Sequence, residues 1–257
     1  MIYCGRVKKI DSPQNPLIKH VSRLLRDGGY RHRHGEFVVE GYRVFDSAVG
    51  VKTLLLREGA AAPTRGWDGA EAVSLAPRVF DSLADTGNPQ GALAVCVIPD
   101  PGVFAPGGRY LFLDGLQDPG NLGTLLRAAA AFRLAGVVCR SGSADPFGPK
   151  AARAAAGAVF RIPILTDGDL SFLEGRRVIA AEVGGAALPD FPAPDDFVLV
   201  VGNEGGGISR EVSALCGEGV AVPMPGGTES LNAAVSGCII LYAFTVGRGP
   251  QGGVCPK

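Results

Sequence analysis

Apolar and polar positions recur along the first hundred residues at spacings that predict short strands alternating with helices. Residues 15–26 carry apolar side chains at helical spacing, and Gly28 and Gly29 are predicted to end this helix. The elements predicted after it are strand 36–39, helix 41–49, strand 53–56, helix 77–83 and strand 92–98. This alternation predicts a small α/β unit of about a hundred residues.

A segment rich in proline and glycine follows this unit. Residues 99–108 (PDPGVFAPGG) contain three prolines and three glycines, a composition typical of a boundary between domains. We therefore expect an N-terminal domain over residues 1–100, a linker over 101–108 and a C-terminal domain over 109–257.

The C-terminal part again alternates between apolar strands and helices. The predicted strands are 110–113, 136–139, 159–164, 177–181, 197–201 and 219–222, and the predicted helices are 122–132, 150–157, 209–215 and 230–246. Because the strands are apolar throughout, we expect a parallel sheet with helices on both faces. The expected fold class is α/β in both domains.

Three loops that contain glycine follow predicted strands in the C-terminal part. They are DGLQDPGNLG (114–123), GNEGGG (202–207) and PMPGGTESLN (223–232). Ligands of parallel sheets bind beyond the carboxyl ends of the strands, where all three loops are predicted to lie. The sequence therefore predicts one composite binding site, although glycine-rich turns of this kind are also common as purely structural features.

The polar residues of these loops restrict the chemistry of the ligand. GNEGGG does not match a dinucleotide fingerprint, because Glu204 stands where a pyrophosphate would approach, and no Walker lysine follows any loop. A carboxylate at this place favours a neutral or cationic ligand such as S-adenosylmethionine. Arg127 lies in an apolar helix, where it either faces the loops with Asn121 or is a solvent-exposed or ion-paired arginine.

Charge is unevenly distributed although the whole chain of 257 residues has a formal net charge of zero. Residues 1–43 contain nine Lys or Arg against four acidic residues, and all three histidines. Such a basic segment would be attracted to a phosphate backbone, whereas the alternative is a solvated helix face.

The remaining composition bears on location and on metals. The chain has no apolar run of about 18 residues and no apolar N-terminal signal, so we expect a cytoplasmic protein without membrane contact. Its six cysteines are scattered, without C-x-x-C and without histidine at ligand spacing. We therefore expect neither a structural metal nor a disulfide framework.

Three motifs together carry a resemblance to a known family. They are N-x-G-x-x-x-R (121–127), G-x-E-G-x-G-I (202–208) and V-P-M-x-G-x-x-E-S-L-N (222–232). In order and spacing they resemble the motifs of the SpoU (TrmH) family of RNA ribose 2′-O-methyltransferases, which belongs to the SPOUT superfamily. The stretches 12–41, 88–95 and 145–164 are similar to other parts of that family, with Ala155 in place of a common Ser and Asn88 in place of a common Thr.

The resemblance implies a C-terminal SPOUT domain with a parallel sheet and a deep trefoil knot, preceded by a small α/β RNA-binding domain. It implies that S-adenosylmethionine donates a methyl group to a ribose 2′-hydroxyl. The implied cofactor-binding residues are Gly202, Val222, Met224, Leu231 and Ala233, and the implied catalytic residues are Asn121, Arg127, Glu204, Ser230 and Asn232. Because a guanidinium presents donors only, we expect Arg127 to stabilise the developing alkoxide rather than to act as the base.

Structured RNA is the expected partner, with large-subunit ribosomal RNA favoured over transfer RNA. The expected RNA contacts are Lys19, Arg23, Arg31, Arg33, Lys150 and Arg153. Two alternatives remain at this stage, a non-catalytic RNA-binding protein of the same fold and a nucleotide-dependent oxidoreductase or small-molecule transferase. A homodimer is also implied, and the last helix has an apolar face that either forms the interface or belongs to the core, namely Ala233, Ala234, Gly237, Ile240, Leu241 and Phe244.

Overall fold

The computed structural model describes residues 8–84 and 89–246, so Asn88 lies outside the described residues. The chain divides into two compact units. The first unit comprises Met1–Asp100 and Asp145–Arg161, and the second comprises Pro101–Ala144 and Ile162–Lys257. The segment Asp145–Arg161, expected from the sequence within the C-terminal domain, thus packs with the first unit.

The first unit has a mixed sheet with helices. In chain order the elements of its first hundred residues are β1 (Lys8–Ile10), α1 (Pro16–Arg26), α2 (Gly28–His34), β2 (Glu36–Glu40), α3 (Tyr42–Phe45), β3 (Val51–Arg57), β4 (Glu71–Leu75), α4 (Pro77–Asp81) and β5 (Ala92–Val97). The strand order is β1-β4-β3-β5-β2, with β5 antiparallel to both of its neighbours. The expected small α/β unit is confirmed, although β1 and β4 were not predicted.

Helix capping explains why the chain has two helices where one was predicted. The side chain of Asn15 accepts a hydrogen bond from the backbone of Leu17 at 2.9 Å and begins α1. Asp27 then accepts one from the backbone of Tyr30 at 2.9 Å and begins α2. The predicted helix over 15–26 therefore ends just before Gly28 and Gly29, as expected, but the Asp27 cap starts a second helix at these glycines that was not predicted.

The second unit contains a fully parallel sheet. The remaining elements, in chain order, are β6 (Arg109–Asp114), α5 (Pro119–Ala131), β7 (Gly136–Arg140), α6 (Pro149–Ala155), β8 (Ile164–Gly168), β9 (Val178–Ala187), β10 (Phe197–Gly202), α7 (Arg210–Ser213), β11 (Glu218–Ala221) and α8 (Ala233–Thr245). All except α6 belong to the second unit, whose strand order is β11-β9-β10-β6-β7-β8. Every pair is parallel, which confirms the predicted sheet.

Several boundaries in this part of the chain differ from the prediction, and the strand predicted over 177–181 extends as β9 to Ala187. Residues 159–164 were predicted as a strand, but Ala158–Phe160 form a 3-10 turn and β8 begins only at Ile164. An apolar run of this length does not distinguish a buried turn from a buried strand. The last helix begins at Ala233 rather than at residue 230, because Asn232 caps it.

The centre of the sheet brings two of the predicted loops together. Strands β6 and β10 pair in register, with Asp114 opposite Gly202 at their carboxyl ends. Helix α8 packs closely on α5 and β10, since a Cβ at Gly237 would lie 2.7 Å from the Leu125 side chain and 3.2 Å from Val201. This glycine therefore permits the close approach of the two helices.

Five of the six residues predicted to form either an interface or part of the core on α8 belong to the core. Ala234, Gly237, Ile240, Leu241 and Phe244 are buried in the second unit, whereas Ala233 is only partly buried. The opposite side of the helix carries large apolar side chains that are 38–54% exposed, namely Val235, Ile239, Tyr242 and, just beyond the helix, Val246.

A buried ion pair holds segment 145–161 in the first unit. Arg31 is 5% exposed, and its guanidinium lies 2.6 Å from the carboxylate of Asp145 and also donates to the carbonyl of Leu24. Nearby, the ring of Phe37 packs against Phe147 and Phe160, with centroids 5.2 and 5.4 Å away. Arg31 was predicted to contact RNA, but its burial and its pairing with Asp145 make it a structural residue instead.

We expect Arg31→Met to destabilise the first unit by about 3 kcal/mol, because it leaves the carboxylate of Asp145 without its partner in a mostly buried place. Denaturant unfolding followed by the fluorescence of Trp67, the single tryptophan of the chain, reports on this unit. The matched control is Arg33→Met on the same helix, whose exposed side chain lies 3.9 Å from Asp27 and should change stability by no more than about 0.5 kcal/mol. Equal effects of the two substitutions would contradict the assigned role of Arg31.

Candidate functional site

A cleft with a volume of about 560 Å³ lies between the carboxyl ends of β10 and β11, the middle of β9 and the start of α8. Eight of the residues implied by the resemblance line it, namely Gly202, Glu204, Val222, Met224, Ser230, Leu231, Asn232 and Ala233. Asn121 contacts the cleft through hydrogen bonds to two of these residues. The structure thus brings most of the candidate site to one place.

A chain of hydrogen bonds links the three loops. The side-chain amide nitrogen of Asn121 donates to the carboxylate of Glu204 at 3.0 Å. The side-chain amide nitrogen of Asn232 donates in turn to the side-chain oxygen of Asn121, also at 3.0 Å. Glu204 also accepts from the backbone amides of Gln117 and Asp118, both at 3.1 Å. Each amide is oriented by its neighbours, so the three side chains form one ordered polar cluster.

Asn232 has a second role as the cap of α8. Its side-chain oxygen accepts from the backbone amides of Ala234 and Val235 at 2.9 and 3.2 Å. Capping therefore accounts for Asn232 but not for Ser230, which is exposed, lines the cleft and makes no side-chain hydrogen bond within residues 8–84 and 89–246. The hydroxyl of Ser230 is available to a ligand.

Opposing effects act on the carboxyl group of Glu204. Burial raises its pKa, but hydrogen bonds from Asn121 and from three backbone amides lower it by more, so that the pKa lies below its ordinary value of 4.5. Glu204 is therefore ionised at neutral pH, where it can accept hydrogen bonds but cannot donate a proton. This favours an orienting role over general acid catalysis.

The loop that carries Glu204 folds back on the end of β10. A Cβ at Gly202 would lie 2.3–2.4 Å from the backbone of Gly207 and Ile208, so that only glycine fits. The side chain of Asn203 accepts from the backbone of Gly205 and Gly206 and donates to the carbonyl of Gly115 at 2.8 Å. Asn203 thus fixes the loop, a role that the sequence analysis missed because asparagine is common in turns.

A buried carboxylate fixes the other end of this loop. Asp114 is 4% exposed and accepts from the guanidinium of Arg140 at 2.8 Å and from the backbone of Ser209 at 2.7 Å. Arg140 also donates to the Ser209 hydroxyl at 2.9 Å. The partner of Asp114 is thus Arg140, whose role was not predicted from the sequence.

Arg127 lies apart from this polar cluster. Helical geometry puts it about 120° around α5 and about 9 Å along it from Asn121. Its side chain is exposed, does not line the cleft and forms no hydrogen bond or ion pair with the residues that the structure describes. The guanidinium is thus left with all its donors available.

The remaining predicted RNA contacts lie on the first unit. Lys19, Arg23, Arg33 and Lys150 are exposed, and Arg23 also lies over the ring of Tyr30 at 4.1 Å from its centroid. Arg153 is partly buried, with its guanidinium 3.9 Å from Glu40. Apart from Arg31, the candidate cations therefore remain accessible to a partner.

Within residues 8–84 and 89–246, no group of three or more His, Cys, Asp or Glu side chains is arranged to hold a metal ion. In the same part of the chain, no helix has the length and apolar character needed to cross a membrane.

The low pKa of Glu204 predicts a pH-dependent contribution to stability. Because the folded pKa lies below the unfolded one, ionised Glu204 stabilises the fold fully above pH 4.5, and this contribution is lost as the pH falls through the folded pKa. We expect Glu204→Gln to be less stable than wild type at neutral pH and to approach it in acid, as followed by circular dichroism during unfolding. Glu229→Gln, which alters an exposed glutamate of a neighbouring loop, gives the baseline. A difference between Glu204→Gln and wild type that does not change with pH would contradict this assignment.

Known proteins are similar to this chain in sequence and in fold. The family model of the SpoU rRNA methylases matches residues 108–242, and that of the MRM3-like substrate binding domain matches residues 15–94. The 23S rRNA (guanosine(2553)-2′-O)-methyltransferase RlmP of Bacillus subtilis is 32% identical over 246 residues, which are 92% of this chain and 98% of that protein.

Solved structures agree with these matches. The SpoU methyltransferase AviRb from Streptomyces viridochromogenes, in complex with the cofactor AdoMet, has a TM-score of 0.82 at 26% identity, over 91% of this chain and 98% of that one. A putative RNA methyltransferase of the TrmH family from Porphyromonas gingivalis has a TM-score of 0.74 at 31% identity, over 88% and 95%. The resemblance carried by the three motifs is confirmed, and the chain belongs to the SpoU rRNA methylase family.

Proposed function

We propose that this protein is an S-adenosylmethionine-dependent RNA ribose 2′-O-methyltransferase that acts on large-subunit ribosomal RNA. The observation that carries the proposal is the hydrogen-bonded cluster of Asn121, Glu204 and Asn232 at the cleft. The ribosomal substrate is supported by the relative RlmP, which is similar along nearly its whole length, and by the substrate-binding family model over residues 15–94.

The cleft fits S-adenosylmethionine in size and in the chemistry of its lining. Its volume of about 560 Å³ is within the range typical of small-molecule sites. The backbone near Gly202, Val222 and Leu231 would hold the cofactor, which supplies an electrophilic methyl group when it is bound. Two neighbouring structures were crystallised with this cofactor, which supports the assignment.

The residues of the site have distinct roles in the proposed reaction. The ribose 2′-hydroxyl must lose its proton as its oxygen attacks, and negative charge develops on that oxygen. Arg127, a permanent cation with available donors, would stabilise this charge and the adjacent phosphate. Glu204 and Asn232 would hold Asn121 in place, while Ser230 would contact the ribose.

The first unit would orient the RNA. The exposed cations Lys19, Arg23, Arg33 and Lys150 would contact phosphates, which fix the register of the RNA without reading its sequence. Arg153 would also contact the RNA after its guanidinium leaves the carboxylate of Glu40, which lies 3.9 Å away. The cytoplasmic location expected from the sequence stays a prediction.

We further propose that the chain of the second unit forms the trefoil knot of its family. Membership in this family supports the proposal, and the backbone of the second unit is closely packed at two glycines. A Cβ at Gly185 would lie 2.4 Å from the backbone of Gly219 and Val220, and one at Gly202 would be equally close to the backbone of Gly207. Glycine at these positions lets neighbouring backbone segments approach without a side chain between them.

The exposed side of α8 supports a homodimer. Val235, Ile239, Tyr242 and Val246 recur at steps of four, three and four residues, so that they form one apolar stripe. A contiguous apolar stripe of large side chains is typical of an interface. We propose that two copies of this protein associate through this stripe, rather than through the face of α8 that is already buried.

Replacing Arg127 tests the proposed chemistry. We expect Arg127→Ala to reduce methyl transfer at least about 100-fold, because the developing charge loses its stabilising cation. Binding of S-adenosylmethionine should change little, since Arg127 does not line the cleft. Radiolabelled methyl transfer to ribosomal and transfer RNA measures activity, and calorimetry measures binding. If wild type methylated transfer RNA but not ribosomal RNA, the proposed substrate would be wrong. If Arg127→Ala lost cofactor binding and methyl transfer to the same extent, the proposed role of Arg127 would be wrong.

Replacing Ile239 tests the dimer. We expect Ile239→Glu to be a monomer at concentrations at which wild type is a dimer, because a carboxylate in the stripe would be desolvated on association. Light scattering gives the mass. Val103→Glu introduces the same charge at a position that is 98% exposed and outside the stripe, and it should remain dimeric. A monomeric wild type or a dimeric Ile239→Glu variant would refute the proposed interface.

A further inference from the structure

The cleft proposed for the methyl donor has an acidic lining. It includes the acidic residues Glu182 and Glu204, and among the residues that the structure describes it includes no Lys, Arg or His. Carboxylates without a neighbouring cation attract a positively charged ligand. The cleft is therefore suited to distinguish two ligands that differ by one positive charge.

The two carboxylates differ in what they already bind. Glu204 accepts from Asn121 and from backbone amides, so its lone pairs are largely engaged. Glu182, on β9, makes no hydrogen bond or ion pair with residues 8–84 or 89–246. Its carboxylate lies over Gly219, where a Cβ would come within 2.2 Å of a carboxylate oxygen. Gly219 thus leaves room for the carboxylate of Glu182, a residue that lines the cleft.

We propose, on the basis of the function proposed above, that Glu182 is a specificity-determining residue that makes the cleft favour the methyl donor over the spent product. Methyl transfer breaks the bond between sulfur and the methyl carbon and forms a bond between that carbon and the ribose oxygen. The sulfur keeps the electron pair and becomes a neutral thioether, and the hydroxyl proton passes to solvent. The bound molecule therefore loses one positive charge while its shape changes little.

The charge of Glu182 acts on this difference. Its attraction for the sulfonium form is absent for the thioether, so the donor binds more tightly than it would in a neutral cleft, whereas the product does not. Because Glu182 is exposed to solvent, the effect is moderate and is screened by salt. The outcome is that fresh donor displaces the spent product more readily.

The test measures dissociation constants by calorimetry on the full-length protein and its Glu182→Gln variant. The probes are S-adenosylmethionine, S-adenosylhomocysteine and sinefungin, in which an amine-bearing carbon replaces the sulfonium. We expect Glu182→Gln to weaken binding of the two cationic probes about three- to tenfold, as expected for one charge pair near a surface, and to leave the neutral product within about twofold. Glu182→Asp, which keeps the charge, should behave like wild type.

Further measurements separate the possible results. Glu174→Gln removes an exposed carboxylate that does not line the cleft and should change none of the three constants. The wild-type preference should also decrease at higher ionic strength. If Glu182→Gln weakened the binding of S-adenosylmethionine and S-adenosylhomocysteine equally, the inference would be overturned, because Glu182 would then bind a group common to both. No change in any of the three dissociation constants would also overturn it. If wild type binds neither compound, the proposed function itself fails.

Discussion

The side chain of Asn121 holds together three segments that lie far apart in the sequence. Its bond to Glu204 spans 83 residues, and its bond to Asn232 spans 111. These contacts depend on the sheet, because the parallel pairing of β6 with β10 brings their carboxyl ends side by side. They also depend on Gly202 and Asn203, which turn the chain back so sharply that Glu204 reaches α5. The cleft is consequently a property of the whole second unit, and a change in any of these segments is transmitted to the others.

The sequence predicted the parallel sheet and most elements of the second unit because buried strands are apolar throughout and need no knowledge of their partners. It predicted less where a polar contact decides the structure. The Asp27 cap converts Gly28 and Gly29 from the end of one helix into the start of another. The burial of Arg31 depends on its ion pair with Asp145, which is 114 residues away in the sequence. Because this pairing is not visible in the sequence, the positive charge of Arg31 alone suggested an RNA contact. Arg140 was missed for the same reason, since only the fold brings it to Asp114.

Most of the site residues predicted from the three motifs line the cleft, whereas the boundary between the two units was not predicted correctly. The family model runs through residues 108–242, yet within that range Asp145–Arg161 packs with the first unit. Phe147 and Phe160 there are covered by Phe37 of β2, and Asp145 is paired with Arg31. Removing the first hundred residues would therefore expose two aromatic rings and leave a carboxylate unpaired. Single substitutions on the surface of the first unit are a cleaner way to separate RNA binding from cofactor binding.

The polar residues of the site fall into two groups that correspond to two tasks. Asn121, Glu204 and Asn232 bond to one another and to backbone amides, so their orientation is set before any ligand arrives. Arg127, Ser230 and Glu182 make no such bonds within the described residues. A group that must bind substrate needs available donors or acceptors, whereas a group that must orient another needs its own bonds satisfied. The exposed guanidinium of Arg127, which makes no hydrogen bond to Asn121, thus keeps the donors that the proposed contact with RNA requires.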